Sequence, residues 1–423
     1  MIPVLISDHA LRNKPTTVEL YQLDSSPACG RQPLLLIHGL NGERSKLFRW
    51  KDMTRYLSHS PEFQRNYKIY LARYNSKTSL ATLQEEFKPL IKKLSYENNR
   101  AGVVVLTISI GGNIVRQSMN EAEVDEAVSQ VITLGTPYHG SPLFNEDWML
   151  YSMMKRHRSP LTKTLRYFGY KLYFAQHKNL LADYQWDNAD GRMPIGTCRY
   201  LFPVPHTVKL KTDGKPTSTP PAENTNAAKW IAYAGYLPNE NYSKHGHLRS
   251  IMHWLNSPFY FANVTFPAYL GREHSMLQLL SDEIANVPTT GVIKENRYRL
   301  NDGISPIFSS LNLTTGNNCD NDSSALVTEG GSVCSSSIRT HLGHMKGRLF
   351  MNLDHISFLK GDGQRAIADQ LKPWEAPRPL FSWLLKDLLS TRTERLTERT
   401  ETEGDEAKVN GVFASARSST QKD

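Results

Sequence analysis

The chain is most informative at first through what it lacks. Four cysteines in 423 residues are too few for a disulfide framework, and no two have the Cys-x-x-Cys spacing of a zinc site. No apolar run reaches the ~20 residues of a membrane span. The most apolar stretch, residues 103–115, is broken by Thr107, Ser109 and two glycines. A membrane-spanning helix is therefore not expected. The opening MIPVLISDHALRNKPTT has no basic start followed by an apolar core, so no export leader is read. The default expectation is a cytoplasmic protein with reduced thiols, and Cys319 and Cys334 would bridge only if the chain were exported. Long runs of one charge are missing as well. The 50 basic and 41 acidic residues leave a net charge of +9 that is spread thinly. Such an excess bears on solubility and encounter, and no nucleic-acid-binding motif accompanies it. Repeats of fixed period are absent.

The composition itself is ordinary globular material, with 39% hydrophobic and 22% charged residues and a mean hydropathy of −0.47. A chain of this length buries roughly three quarters of its unfolded surface, so neither metal nor disulfide is needed for folding. From Pro33, short β-branched runs alternate with amphipathic segments. Strands are predicted at 34–37, 68–74, 103–108 and 128–134, with helices at 80–94 and 111–120. Continuous apolar strands separated by helices imply a parallel sheet covered on both faces, an α/β fold. The rhythm stops at Ser141. Residues 141–199, which include Trp148, Phe168 and Phe174, suggest a helical cap, and 203–226 an exposed loop. A strand returns at 230–237, and 380–389 suggests a closing helix. This gives an N-terminal extension (1–32), a first core segment (33–140), a cap insertion with its loop (141–226), a second core segment with an insertion (227–389) and a disordered polar tail (390–423).

The strongest chemical signal is VVVLTISIGG at 103–112. A nucleophilic serine at the end of a strand needs a sharp turn into the next helix, and the turn crowds positions two before and two after it. Those positions are Thr107 and Gly111, around Ser109. Ser-x-Gly alone means little, but here a strand precedes it and a helix follows. LLLIHGL at 34–40 is the second signal. Ester hydrolysis passes through an oxyanion, and each preorganised N–H donor contributes roughly 3 kcal/mol. The amides of Leu40 and Ile110 would supply two. Alone, the HG pair would be a plain turn. A serine also needs a base and the base an orienting acid. Among 14 histidines, His355 in MNLDHISFL lies near the C-terminus in a short polar break after an apolar segment. Asp302 in RLNDGISP is the preferred acid. Asp354 is its rival, but adjacent side chains usually diverge.

Ser109, Asp302 and His355 occur in the chain order of the α/β-hydrolases. The HGL strand, TLGTPYHGSPL, NDGISP and LDH strings resemble those of bacterial triacylglycerol lipases and related serine esterases over about residues 33–390. The resemblance implies an α/β-hydrolase fold: a mostly parallel sheet flanked by helices, with a helical cap insertion. It also implies hydrolysis of a carboxylic ester through an acyl-enzyme. Ser109 would be the nucleophile, His355 the base, Asp302 its acid, and Leu40 and Ile110 the oxyanion donors. Two positions depart from the pattern. Thr107 stands where glycine is usual, and Ser357 stands where many of these lipases place an acidic calcium ligand. No calcium, other metal or cofactor is expected. The expected partner is a lipid or small-molecule ester, with transient membrane contact and oligomeric state left open. An acyltransferase or membrane-lipid deacylase would share the triad, and a catalytically inactive binding module would share the fold. His245, His247 and His253 form no recognisable ligand set, and four Asn-x-Ser/Thr sequons, one of them at Asn312, carry no weight without a leader.

Overall fold

The computed structural model describes residues 15–23, 30–44, 50–99, 102–138, 140–141, 168, 171, 175, 183–184, 227–236, 302, 304–312, 333–340, 343–351, 353, 355, 357–359 and 380–390. Most of the predicted cap, its 203–226 loop, the tail beyond 390, Cys319, Asp354 and the three clustered histidines lie outside them. The first half runs β1 (Glu19–Gln22), β2 (Gln32–Ile37), α1 (Lys51–Leu57), α2 (Pro61–Asn66), β3 (Tyr67–Arg73), α3 (Leu80–Glu97), β4 (Val103–Ile108), α4 (Gly111–Ser118), α5 (Ala122–Ala127) and β5 (Val128–Leu134). The second half contributes β6 (Trp230–Tyr236), α6 (Ile307–Ser310), β7 (Val333–Thr340) and β8 (Gly343–Met351), then a helix α7 over residues 380–390.

Among the described residues the eight strands form one sheet in the order β1-β3-β2-β4-β5-β6-β8-β7. The six inner strands are parallel, while β1 and β7 close the edges antiparallel. The N-terminal segment thus supplies an edge strand. The inner strands are buried on both faces, which is why they read as unbroken apolar runs. Side chains alternate across a strand. Leu34 and Leu36 join Val104, Leu106, Ile132 and Leu134 in a core shared with α1, α2 and α7. Leu35, Ile37, Val103 and Val105 are equally buried and alternate to the other face, where α3, α4 and α5 pack.

Local signals set these helices. Ser79 caps α3 by accepting the Thr82 amide, and Leu80, Leu83, Phe87, Ile91 and Leu94 form its buried stripe. Helix α7 presents Leu380, Phe381, Leu384 and Leu388 to the core. Each fully buried side chain of this kind contributes about 1.5–3 kcal/mol. Between the apolar layers, Arg348 of β8 is buried against the buried Asp387 of α7 through two hydrogen bonds, with Nε 2.6 Å from the carboxylate. Its guanidinium stacks 4.0 Å over the Trp383 ring, and the Tyr233 hydroxyl donates to the same carboxylate. A buried pair is tolerated only when its remaining lone pairs are satisfied in this way.

The order of the strands also positions the site. From β2 the chain moves outward to β3, then returns past β2 to β4 and continues the opposite way to β5. Direction therefore reverses between β2 and β4. In open parallel sheets the crevice at the carboxyl ends of such a pair is where ligands bind.

Candidate active site

Ser109 lies at that reversal, in the tight turn from β4 into α4. Its φ is 55°, in the left-handed region that residues with side chains rarely occupy. The turn is held from both ends. The Ser109 amide donates to the Leu134 carbonyl at 2.9 Å, and the Ser109 carbonyl accepts from the Thr136 hydroxyl at 2.9 Å. A Cβ on Gly111 would stand 2.9 Å from the Ile37 carbonyl, which accounts for the small residue expected two after the serine.

Thr107, the larger residue two before the serine, is fully buried, and its hydroxyl has no hydrogen-bond partner. The turn accommodates the extra atoms at the expense of an unsatisfied group, which costs about 1–3 kcal/mol. Thr107→Val keeps the shape and removes the hydroxyl. It should raise the denaturant midpoint at an unchanged m-value, a gain of about 1 kcal/mol. A loss of stability would mean that the hydroxyl has a use in the folded turn.

Beside Ser109 lies the end of β2. A Cβ on Gly39 would fall 2.8 Å from Ser109 Cβ, so the HG turn packs directly on the serine. The Gly39 carbonyl accepts from the Gly42 amide at 3.1 Å and lies 2.8 Å from His38 Nδ1. Gly39 C=O and Leu40 N–H belong to one trans peptide, so fixing the carbonyl turns the amide the opposite way. The His38 ring stacks on Tyr74 at 4.2 Å, and the Tyr74 hydroxyl donates to the His38 carbonyl. Burial, aided by Tyr184 and Glu43 nearby, pushes that phenol well above its ordinary pKa, so it stays a donor. Ile110, next to the serine, is the N-cap of α4, with its amide at the positive end of the helix.

The second half of the chain brings Asp302 and His355 to the same edge. His355 Nδ1 lies 2.7 Å from Asp302 Oδ2, and the His355 amide donates to the Asp302 carbonyl at 3.0 Å. Asp302 is fully buried, and its other oxygen accepts the amides of Ile304 at 2.9 Å and Ser305 at 2.7 Å. With Nδ1–H donating to the carboxylate, the lone pair is on Nε2. That nitrogen is buried and makes no hydrogen bond. The structure thus joins His355 to Asp302 as the sequence suggested.

Gly135 links this pair to the serine, and the sequence reading gave it no role. It follows Leu134, the acceptor of the Ser109 amide, and has φ 57°. A Cβ there would stand 3.0 Å from Asp302 Oδ2, 3.1 Å from His355 Nδ1 and 2.8 Å from the Phe358 ring. Gly-Thr-Pro directly after a buried strand was the available signal. Gly135→Ala should therefore displace the His355–Asp302 pair, lowering kcat at least about tenfold together with the melting temperature. Wild-type kcat in this variant would show that the pair tolerates displacement.

A mostly parallel sheet whose order reverses between β2 and β4, with a serine on a left-handed strand-to-helix turn at that reversal, is a recognisable architecture. The chain has the α/β-hydrolase fold. Residues 33–204 match the palmitoyl protein thioesterase family. No curated protein matches the chain at a significant level. Among solved structures, mature lipase BlEst2 of Bacillus licheniformis is similar at 14% identity, over 88% of this chain and 99% of that one, with a TM-score of 0.40. The metagenomic carboxyl esterase MGS0156 is similar at 14% identity over 89% of this chain and 82% of that one, with a TM-score of 0.37. Phospholipase PlaB of Legionella pneumophila matches 27% of each chain at 19% identity, with a TM-score of 0.23.

Proposed function

We propose that this chain cleaves acyl esters or thioesters through an acyl-enzyme on Ser109. What carries the reading is the convergence of a left-handed Ser109 and a buried, carboxylate-bound His355 on one edge of the sheet. His355 Nε2 takes the Ser109 proton as the oxygen attacks the acyl carbon. The tetrahedral oxyanion is held by the amides of Leu40 and Ile110. It collapses to the acyl-enzyme, and His355 returns the proton to the departing alcohol or thiol. Water, deprotonated by the same nitrogen, then releases the acid and regenerates Ser109. Asp302 keeps the proton on Nδ1 and stabilises the imidazolium. The residues assigned these roles are all in the chain, so no cofactor is part of the scheme.

The family match over 33–204 favours a fatty acyl group and brings thioesters into the substrate class beside oxygen esters. Such substrates reside at or near lipid surfaces, so the enzyme would meet them by transient contact there. A fluorophosphonate probe should label the purified protein once, at Ser109. A panel of p-nitrophenyl esters from acetate to palmitate, run beside a palmitoyl thioester, should show turnover rising with chain length. Absence of labelling would exclude a live nucleophile and leave the fold as a binding module. Labelling with acyl transfer to added alcohols in place of water would make it an acyltransferase.

A further inference from the structure

The turn that carries Leu40 continues into a buried polar chain that the catalytic scheme does not use. Asn41, the next residue, has φ 58° and is held there from outside the turn. Its amide donates to the Ser76 hydroxyl at 2.8 Å, and Ser76 in turn donates to Glu43 Oε2 at 2.9 Å. The directions are fixed, since an amide can only donate and an ionised carboxylate can only accept. Ser76 is fully buried, so water has no path to replace its hydroxyl. Glu43 is 1% exposed, and its Oε1 has no hydrogen-bond partner. A carboxylate buried with one oxygen unsatisfied detracts from stability. Its presence calls for a reason other than holding the fold together, and its position gives one. Three residues from the Leu40 amide, it supports the Ser76 hydroxyl that holds the Asn41 amide, and hydrogen bonds to a carboxylate are the stronger kind.

We propose that Ser76 and Glu43 are positioning residues for the oxyanion turn, fixing the Leu40 amide by holding Asn41 in its left-handed conformation. The inference rests on the reading of Leu40 as an oxyanion donor. Neither residue touches substrate. Without the hydroxyl, the Asn41 amide is orphaned, the residue relaxes toward ordinary φ, and the preceding peptide turns with it. An oxyanion donor works only at its aimed distance, so misdirection weakens transition-state binding while leaving substrate binding alone.

The test is steady-state kinetics of Ser76→Ala and Glu43→Gln on a p-nitrophenyl ester, with each preparation titrated by fluorophosphonate so that only competent sites are counted. Ser76→Ala should lower kcat about tenfold at nearly unchanged KM, short of the 10²–10³ lost when a donor is removed outright. Glu43→Gln keeps the shape and an acceptor oxygen but removes the charge, and should cost a few-fold in kcat. If Ser76→Ala does not fold, the Glu43→Gln result decides. Wild-type kcat per titrated site with a lowered melting temperature would overturn the proposal, because the chain would then be merely structural. A rise in KM alone would overturn it equally. Failure of the underlying catalytic reading looks different, since the wild-type protein itself would then not be labelled.

Discussion

Ser109→Ala should reduce ester and thioester turnover by on the order of 10⁶ while the protein remains folded. The size follows from the way the site divides its work. His355 Nε2 is buried without a hydrogen-bond partner, and in the proposed mechanism it takes the Ser109 proton. In the proposed mechanism no acyl-enzyme forms without the serine oxygen, and the amides of Leu40 and Ile110 would assist only direct attack by water. The fold should survive because what holds the turn is backbone. The Ser109 amide and carbonyl, bonded to Leu134 and Thr136, are unaffected by loss of the hydroxyl. The measurement pairs kcat with a thermal melt. More than a few per cent of wild-type turnover in a clean preparation would remove Ser109 from the role of nucleophile.

Asp302→Asn is the second large effect, expected to cost about 10⁴ in kcat. Here the geometry dictates the mechanism of failure. Asp302 Oδ1 accepts two backbone amides, from Ile304 and Ser305. An asparagine must keep its only oxygen on those donors, because turning its NH₂ toward them would set donor against donor. The NH₂ therefore faces His355 Nδ1, which must become an acceptor. The imidazole proton moves to Nε2, and the ring can no longer take a proton from Ser109. The check is kcat for Asp302→Asn against Asp354→Asn at matched stability. Were Asp354→Asn the crippling change and Asp302→Asn mild, the acid would have to be reassigned.

The parts of the site legible in the sequence were those whose signal is local. VVVLTISIGG contains strand, serine and helix start within ten residues, and the structure places all three as read. The HG turn was legible only because a nucleophile motif followed it. Asp302 and His355 are separated by 53 positions; their order suggested a pairing, and the structure places the two side chains 2.7 Å apart. Elements whose reason is non-local escaped notice. Strand β1 is four residues, ELYQ, and exists because β3 lies beside it. Strand β8 reads GHMKGRLFM, with a lysine, an arginine and two glycines. Arg348 is buried there only because Asp387, 39 residues later, neutralises it. Hydropathy counts that arginine as surface. Ser76 and Glu43 were invisible for the same reason: nothing in the run GLNGERS indicates that its acid folds inward toward a serine 33 positions away.

Helix α7 has a consequence for how the chain is made. It covers the core face that also contains Trp50, Leu57 and Phe63, and its Leu388 carbonyl accepts the hydroxyl of Tyr67, 321 positions earlier. A ribosome adding about 5–20 residues per second needs roughly 15–60 s to cover that interval. For most of that time, the apolar side of β2, β3 and β4 has been synthesised but lacks the helix that seals it. Newly made chains therefore leave that face uncovered until residues 380–390 emerge. A stop codon or frameshift just before residue 380 would leave Ser109, His355 and Asp302 all encoded, yet yield an aggregate instead of an enzyme.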